Sequence, residues 1–139
     1  EECEIKPHVI QMEAHPYYRD EETISALAPC GCRVMAWYPL GHGDHALFEE
    51  PIVKELAEKY EKSTAQVILR WHTQVGNIVI PGSTNPEHIK ANLDIFGFKL
   101  TDEEMKKMEG LNKNVRYYYP DEEKLAAYAK MKIDLDSQK

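Results

Sequence analysis

Three short apolar runs, each followed by a turn and a helical pattern, constrain this chain more than any other feature. "PHVIQMEAH" sets Val9, Ile10 and Met12 between Pro7 and the His15-Pro16 turn, which predicts a strand over Val9–Glu13. "RVMAWY" predicts a second strand over Arg33–Tyr38, and "NIVIP" a third over Asn77–Pro81. Strands that alternate with helices pair in parallel through right-handed crossovers, so the three C-terminal ends lie on one side of the sheet. Ligands of such folds collect on that side. The residues after Met12, Ala36 and Ile80 are therefore the first candidates for a site.

The helices are marked by local chemistry. "DEETISALA" carries acids in its first turn and Ile24, Leu27 and Ala28 at helical spacing, and Pro29 closes it. Residues 39–50, "PLGHGDHALFEE", read as a loop with two glycines. In "PIVKELAEKY", Pro51 suits the first helical position, and Ile52, Val53, Leu56, Ala57 and Tyr60 share one face. Ser63 and Gln66 form a capping box opening a helix that runs to about Gln74, where Gly76 stops it. A further helix spans Pro86 to about Leu93, and a second capping box, Thr101 with Glu104, starts one that ends near Gly110. "NKNVRYYYP" is irregular, and "DEEKLAAYAKMK" is a charged amphipathic helix leading into a polar tail.

Size and charge exclude several functions. The 139 residues suit one domain, which hides roughly two thirds of the surface of the unfolded chain. No apolar run approaches the ~20 residues of a membrane span. Acidic residues outnumber basic ones, 24 to 17, so no basic face is expected for nucleic acid. Cys3, Cys30 and Cys32 form no secreted disulfide framework, and the start shows no signal pattern, which points to the cytoplasm. The chain opens at Glu1 without an initiator Met, which leaves room for residues upstream.

Candidate residues follow from the strand ends. "VIPGSTNPEHIKAN" is a strand, a polar turn and a helix start at Asn85 or Pro86, and a helix start offers unpaired N–H groups to a phosphate. The same stretch is equally a well-capped helix without a ligand. Gln11 is an amide in an apolar strand, where a buried amide needs partners. Alternation puts Met35 and Trp37 on one face of the second strand, and Ala36 and Tyr38 on the other. Cys30, Cys32, His42 and His45 are metal-ligand types with poor spacing, so no metal is expected. His8, His15 and His72 are expected in solvated or helix-flanking positions, and Tyr117, Tyr118 and Tyr119 beside Arg116 suit a stacking surface or a partly buried clasp.

"QMEAHPYY", "MAWYPLGHGD", "STAQVILRWHTQ", "NIVIPGSTNPEHIKANLDIFGFKLTDEEM" and "LNKNVRYY" together resemble, in order and spacing, the C-terminal part of the aldo-keto reductases. These are NAD(P)H-dependent oxidoreductases built on a (β/α)8 TIM barrel. The resemblance implies an α/β partial barrel whose three parallel strands are the last three of eight. Residues 1–139 then form the C-terminal part of the barrel, with 111–139 as an extension, and Glu1–Glu4 end the preceding helix. The family's catalytic Asp, Tyr, Lys and His fall upstream, so no catalytic residue is assigned in this chain.

By the same resemblance Gln11 bonds the nicotinamide carboxamide and Trp37 stacks on its ring, where the family usually has Tyr. Tyr38, Leu40 and His42 lie along the pyrophosphate, with Tyr38 and His42 replacing commoner serines. Ser83, Thr84 and Asn85 surround the adenosine phosphate, and Asn92 contacts adenine. Two cations that grip the 2'-phosphate of NADPH are replaced by Gly82 and His88, so NAD is favoured over NADP, although a protonated His88 restores some attraction. The expected partners are the dinucleotide and, in the intact enzyme, a small aldehyde or ketone, with one of Tyr117, Tyr118 and Tyr119 as a pocket wall. The isolated chain is expected to reduce no carbonyl. The competing expectation is a truncated, non-catalytic partial-barrel module that self-associates through its open sheet edges.

Overall fold

Val9–Glu13 (β1), Arg33–Trp37 (β2) and Ile78–Val79 (β3) form a parallel sheet in the order β1-β2-β3. The computed structural model describes residues 4–131. Val9 lies opposite Arg33 and Glu13 opposite Trp37, while Met35 meets Ile78 and Ala36 meets Val79. The pleat separates two faces. Ile10, Met12, Ala14, Val34, Ala36 and Val79 pack with Ile24 of helix α1, Glu21–Leu27, into a small apolar layer. The opposite face stays largely open: Val9 is 41% exposed, as is 60% of Ile80 just beyond β3.

The larger core is helical. Helices α2 (His45–Glu49), α3 (Pro51–Tyr60) and α4 (Thr64–Gln74) bury Leu47, Val53, Leu56, Val67, Ile68 and Trp71 together with Leu100 and Met108. Each such side chain contributes about 1.5–3 kcal/mol on leaving water. The Ser63 capping box at the start of α4 is formed in full. So is the Thr101 box of α6, Asp102–Glu109. Its Glu104 carboxylate also accepts from Lys59 Nζ at 2.5 Å and Tyr60 Oη at 2.7 Å, which ties α3 to α6. Burial pushes the Glu104 carboxyl up, but Lys59, the Thr101 N–H and Tyr60 outweigh it and hold the group at about 2. Helices α5 (Pro86–Leu93) and α7 (Glu122–Lys130) bury no residue.

The structure departs from the sequence reading in four places. The second strand ends at Trp37, because Tyr38 turns into the left-handed region with φ 55°. The third is two residues long instead of five: its pairing with β2 stops at Ala36–Val79, and Pro81 has no N–H to donate. Residues 39–50 are more than a loop: Gly41–Gly43 form a 3-10 turn, and the Asp44 side chain accepts from Ala46 N at 2.8 Å to start α2. His15 and His72 are fully buried rather than solvated. The first three residues and the polar tail lie outside the described residues.

Leu56 is 1% exposed at the centre of the helical core. Leu56→Ala is expected to lower the unfolding free energy by about 2–5 kcal/mol in urea denaturation. A loss below about 1 kcal/mol would place the core elsewhere.

Candidate functional site

Where β2 ends, the chain must turn sharply, and His72 fixes the turn. This α4 side chain donates from Nε2 to the Pro39 carbonyl at 3.0 Å, and its Nδ1 accepts from Asn77 Nδ2 at 3.1 Å. The two bonds require a neutral imidazole with its proton on Nε2. Burial lowers the His72 pKa to about 4. Gly41, φ 75°, lets the loop close onto the core: a Cβ there would stand 3.1 Å from Leu47 Cδ2 and 3.4 Å from the Tyr117 hydroxyl.

Three rings pile up on this turn. Tyr38 stacks on Trp37 with centroids 4.0 Å apart and planes 20° from parallel, and His42 lies 4.0 Å from Tyr38 on its side. Tyr118 meets Trp37 edge-on at 5.2 Å. The strand alternation expected for Tyr38 therefore fails, because its left-handed backbone returns the ring to the Trp37 side.

Two hollows flank the pile. An open cleft of about 760 Å³ is lined by Gln11, Trp37, Tyr38, Tyr118 and Tyr128. A second, of about 270 Å³, is lined by Trp37 through Leu40, His42, Gly43 and the Ile80–Gly82 segment. No Lys or Arg lines the second hollow. Gln11 is exposed to the cleft, not buried as an amide among apolar neighbours.

The remaining predicted residues lie apart from the rings. Ser83 Oγ accepts from Asn85 N at 3.1 Å, and Asn85 Oδ1 accepts from Glu87 N at 2.9 Å, so this turn is spent capping α5. Thr84, Asn85 and His88 are exposed and Asn92 half-buried; none of them, nor Ser83, lines either hollow. Cys30 and Cys32 precede β2 whereas His42 and His45 follow it. Among the described residues no three His, Cys, Asp or Glu side chains gather as metal ligands. No described helix is long and apolar enough to cross a membrane.

The structure adds residues to which sequence reading gave no role. Glu13 is buried at the end of β1 and accepts from Tyr117 N at 2.5 Å, Tyr118 N at 3.2 Å and His15 Nε2 at 3.0 Å. This carboxylate pulls residues 113–119 across the strand ends as a strap. Asp44 accepts from the Tyr117 hydroxyl at 2.6 Å, Asp20 from Arg116 at 3.0 Å, and Glu50 from the Tyr17 hydroxyl at 2.5 Å and Lys113 at 3.2 Å. Tyr117 lowers the Asp44 pKa and Tyr17 that of Glu50. Asp20 is pushed up by burial but ends low, through the Thr23 N–H, Tyr18 and Arg116. Burial lowers the His15 pKa against the opposing pull of Glu13. The available signals were an acid inside an apolar strand and an Asp directly before "HALFE".

Two outcomes follow for the strap. Glu13→Gln keeps the shape but removes the charge from two amide bonds, each worth about 1.5–3 kcal/mol. Hydrogen exchange at Tyr117 and Tyr118 is expected to quicken about tenfold or more; unchanged rates would deny Glu13 its anchoring role. In acid, His72 binds a proton more readily unfolded, at 6.5, than folded, at about 4, so its share of stability is complete above 6.5 and lost as pH falls between those values. Asp20, Asp44 and Glu50, with lowered folded pKa values, then lose their share below the ordinary carboxylate range. The melting temperature should hold from pH 8 to 7 and drop by pH 4.5, and equal melting temperatures at pH 7.5 and 4.5 would contradict the buried neutral His72.

Comparison with known proteins converges on one family. The family model described as "Aldo/keto reductase family" matches residues 1–113. Aldo-keto reductase family 1 member A1 of Sus scrofa is 43% identical over 124 residues, which cover 84% of this chain and 38% of that protein. The chain thus spans about two fifths of the length of this curated relative. The crystal structure of Bombyx mori aldo-keto reductase in complex with NADP is 34% identical, with a TM-score of 0.75 over 83% of this chain and 40% of its own. A Gox0644 variant crystallised with NADPH is 36% identical, with a TM-score of 0.73 over 78% and 39%. The three-stranded parallel sheet with its helices is accordingly a part of the (β/α)8 barrel, and the chain belongs to the aldo-keto reductase family.

Proposed function

We propose that this chain is the cofactor-holding part of an NAD(P)H-dependent oxidoreductase that reduces small aldehydes or ketones. One observation carries the reading. Gln11, Trp37 and Tyr38 line one cleft, and Trp37 and Tyr38 continue into a second hollow that reaches Gly82 at the approach to α5. An exposed amide beside an aromatic pair suits a flat ring bearing a carboxamide, since the amide both donates and accepts. A bound nicotinamide supplies the hydride that reduces the carbonyl carbon. This chain contributes the orientation of the ring, and by family resemblance the proton donor comes from the part of the barrel that precedes Glu1.

The dinucleotide expected here is NAD rather than NADP. A dianionic 2'-phosphate needs charge-assisted bonds worth roughly 1.5–3 kcal/mol each. Gly82 supplies no side chain, and His88 is an exposed imidazole on α5. Two relatives were crystallised with NADP or NADPH; the preference proposed for this chain rests on Gly82 and His88. A second reading, a partial-barrel module that self-associates and turns over nothing, draws on the exposure of Val9 and Ile80 beside the open sheet face.

Size-exclusion with light scattering and fluorescence titration of both cofactors separate the readings. NADH is expected to bind at pH 8 at least as tightly as NADPH, and Gly82→Lys with His88→Arg to improve NADPH binding about tenfold or more. NADPH binding tenfold tighter than NADH in the unaltered protein would overturn the NAD preference. A stable assembly that binds neither cofactor would favour the module.

A further inference from the structure

We infer that Tyr38 is a built-in occupant of the cofactor cleft, a ring that covers the indole of Trp37 until an incoming flat ring displaces it. The inference rests on the cofactor reading above and adds to it a residue that sets affinity. Its first support is geometric. Tyr38 lies on Trp37 at 4.0 Å and 20°, the offset-parallel arrangement that a heteroaromatic ligand would seek on the same indole. One ring excludes another from that face.

The second support is what does not hold Tyr38. Every other tyrosine among the described residues has its hydroxyl in a hydrogen bond: Tyr17 to Glu50, Tyr18 with Arg116, Tyr60 to Glu104, Tyr117 to Asp44, Tyr118 with Tyr128, and Tyr119 with the Arg116 N–H. Among the described residues the Tyr38 hydroxyl has no such partner, and the ring rests between Trp37 and His42. Such a ring leaves without breaking a polar bond.

Position is the third support. Trp37 and Tyr38 line both hollows, so the pair stands between the Gln11 cleft and the groove toward Gly82. The backbone beneath is fixed by Gly41 N donating to the Tyr38 carbonyl at 2.9 Å and by His72 on the Pro39 carbonyl at 3.0 Å. The left-handed φ of 55° directs the ring back over its neighbour, so the ring moves by side-chain rotation while the turn stays fixed. A dinucleotide whose nicotinamide takes the covered face of Trp37 must therefore displace it. A ligand confined to the Gly82 side need not.

The test compares the unaltered protein with Tyr38→Asn and Tyr38→Phe. Asparagine tolerates a left-handed backbone and removes the ring, whereas phenylalanine keeps the ring. NADH is expected to bind Tyr38→Asn about tenfold tighter, equivalent to about 1.4 kcal/mol, and to bind Tyr38→Phe as it binds the unaltered protein. AMP, which lacks both the nicotinamide and the pyrophosphate, should bind all three alike. Without ligand, acrylamide should quench the tryptophan emission of Tyr38→Asn more strongly, because Trp71 is 0% exposed and the change reports on Trp37. Three results overturn the inference while leaving the cofactor reading standing: NADH binding Tyr38→Asn no tighter than the unaltered protein, Tyr38→Phe gaining as much as Tyr38→Asn, or unchanged quenching. If neither NADH nor AMP binds any of the three, the cofactor reading fails and takes the inference with it.

Discussion

The buried carboxylate of Glu13 is the interaction on which the arrangement around the cleft depends. It ends β1, where a strand normally gives way to solvent, and accepts from two successive backbone amides more than a hundred residues later in the chain. A carboxylate withdrawn from water is costly unless its oxygens are satisfied. Here Tyr117 N, Tyr118 N and His15 Nε2 satisfy them, and leaving any of the three elsewhere would strand the charge. The strap is thereby committed to the C-terminal end of the sheet. That commitment sets Tyr118 against the edge of Trp37 and brings the Tyr117 hydroxyl within 2.6 Å of Asp44.

His72 plays the matching part from beneath. It reaches from α4 to the Pro39 carbonyl on one side and to Asn77, just before β3, on the other. One neutral imidazole thus relates a helix, the loop that carries the ring pile and the strand leading to Gly82. Glu13 fixes the roof of the cleft and His72 its floor. Between these anchors Tyr38 is, among the described residues, the tyrosine whose hydroxyl has no hydrogen-bond partner, and its ring rests on Trp37.

Much of the fold was legible because its signals are local. The capping boxes at Ser63 and Thr101 are hydrogen bonds across three residues, and both form as their sequences imply. Val9–Glu13 and Pro51–Tyr60 keep the bounds their apolar spacing gives. Signals that depend on distant partners were not legible. His72 reads as solvated until a carbonyl 33 residues away is brought to it, and Glu13 reads as an ordinary strand residue until its partners arrive from 104 and 105 residues away. Tyr38 broke the alternation rule because that rule ends where the strand does, one residue earlier than expected. Helix α2 was hidden by the glycines before it, which mask the Asp44 cap.

The charges of the site leave a particular division of labour. Lys113 and Arg116, the cations of the strap, are paired with Glu50 and Asp20, and the hollow along residues 37–43 is lined by no Lys or Arg. On the proposed cofactor reading, a phosphate in that hollow would find no side-chain cation, and backbone contacts orient an anion with less attraction than a guanidinium fork. On that reading, affinity for a dinucleotide leans on its rings and on the Gln11 amide. Where charge contributes less, each stacked face counts for more, and a side chain that already occupies one gains leverage over binding. On that reading, the lack of Lys or Arg at positions 82 and 88 and the presence of a ring at Tyr38 act on the same balance. The first shifts the weight of recognition toward the indole of Trp37, and the second governs access to it.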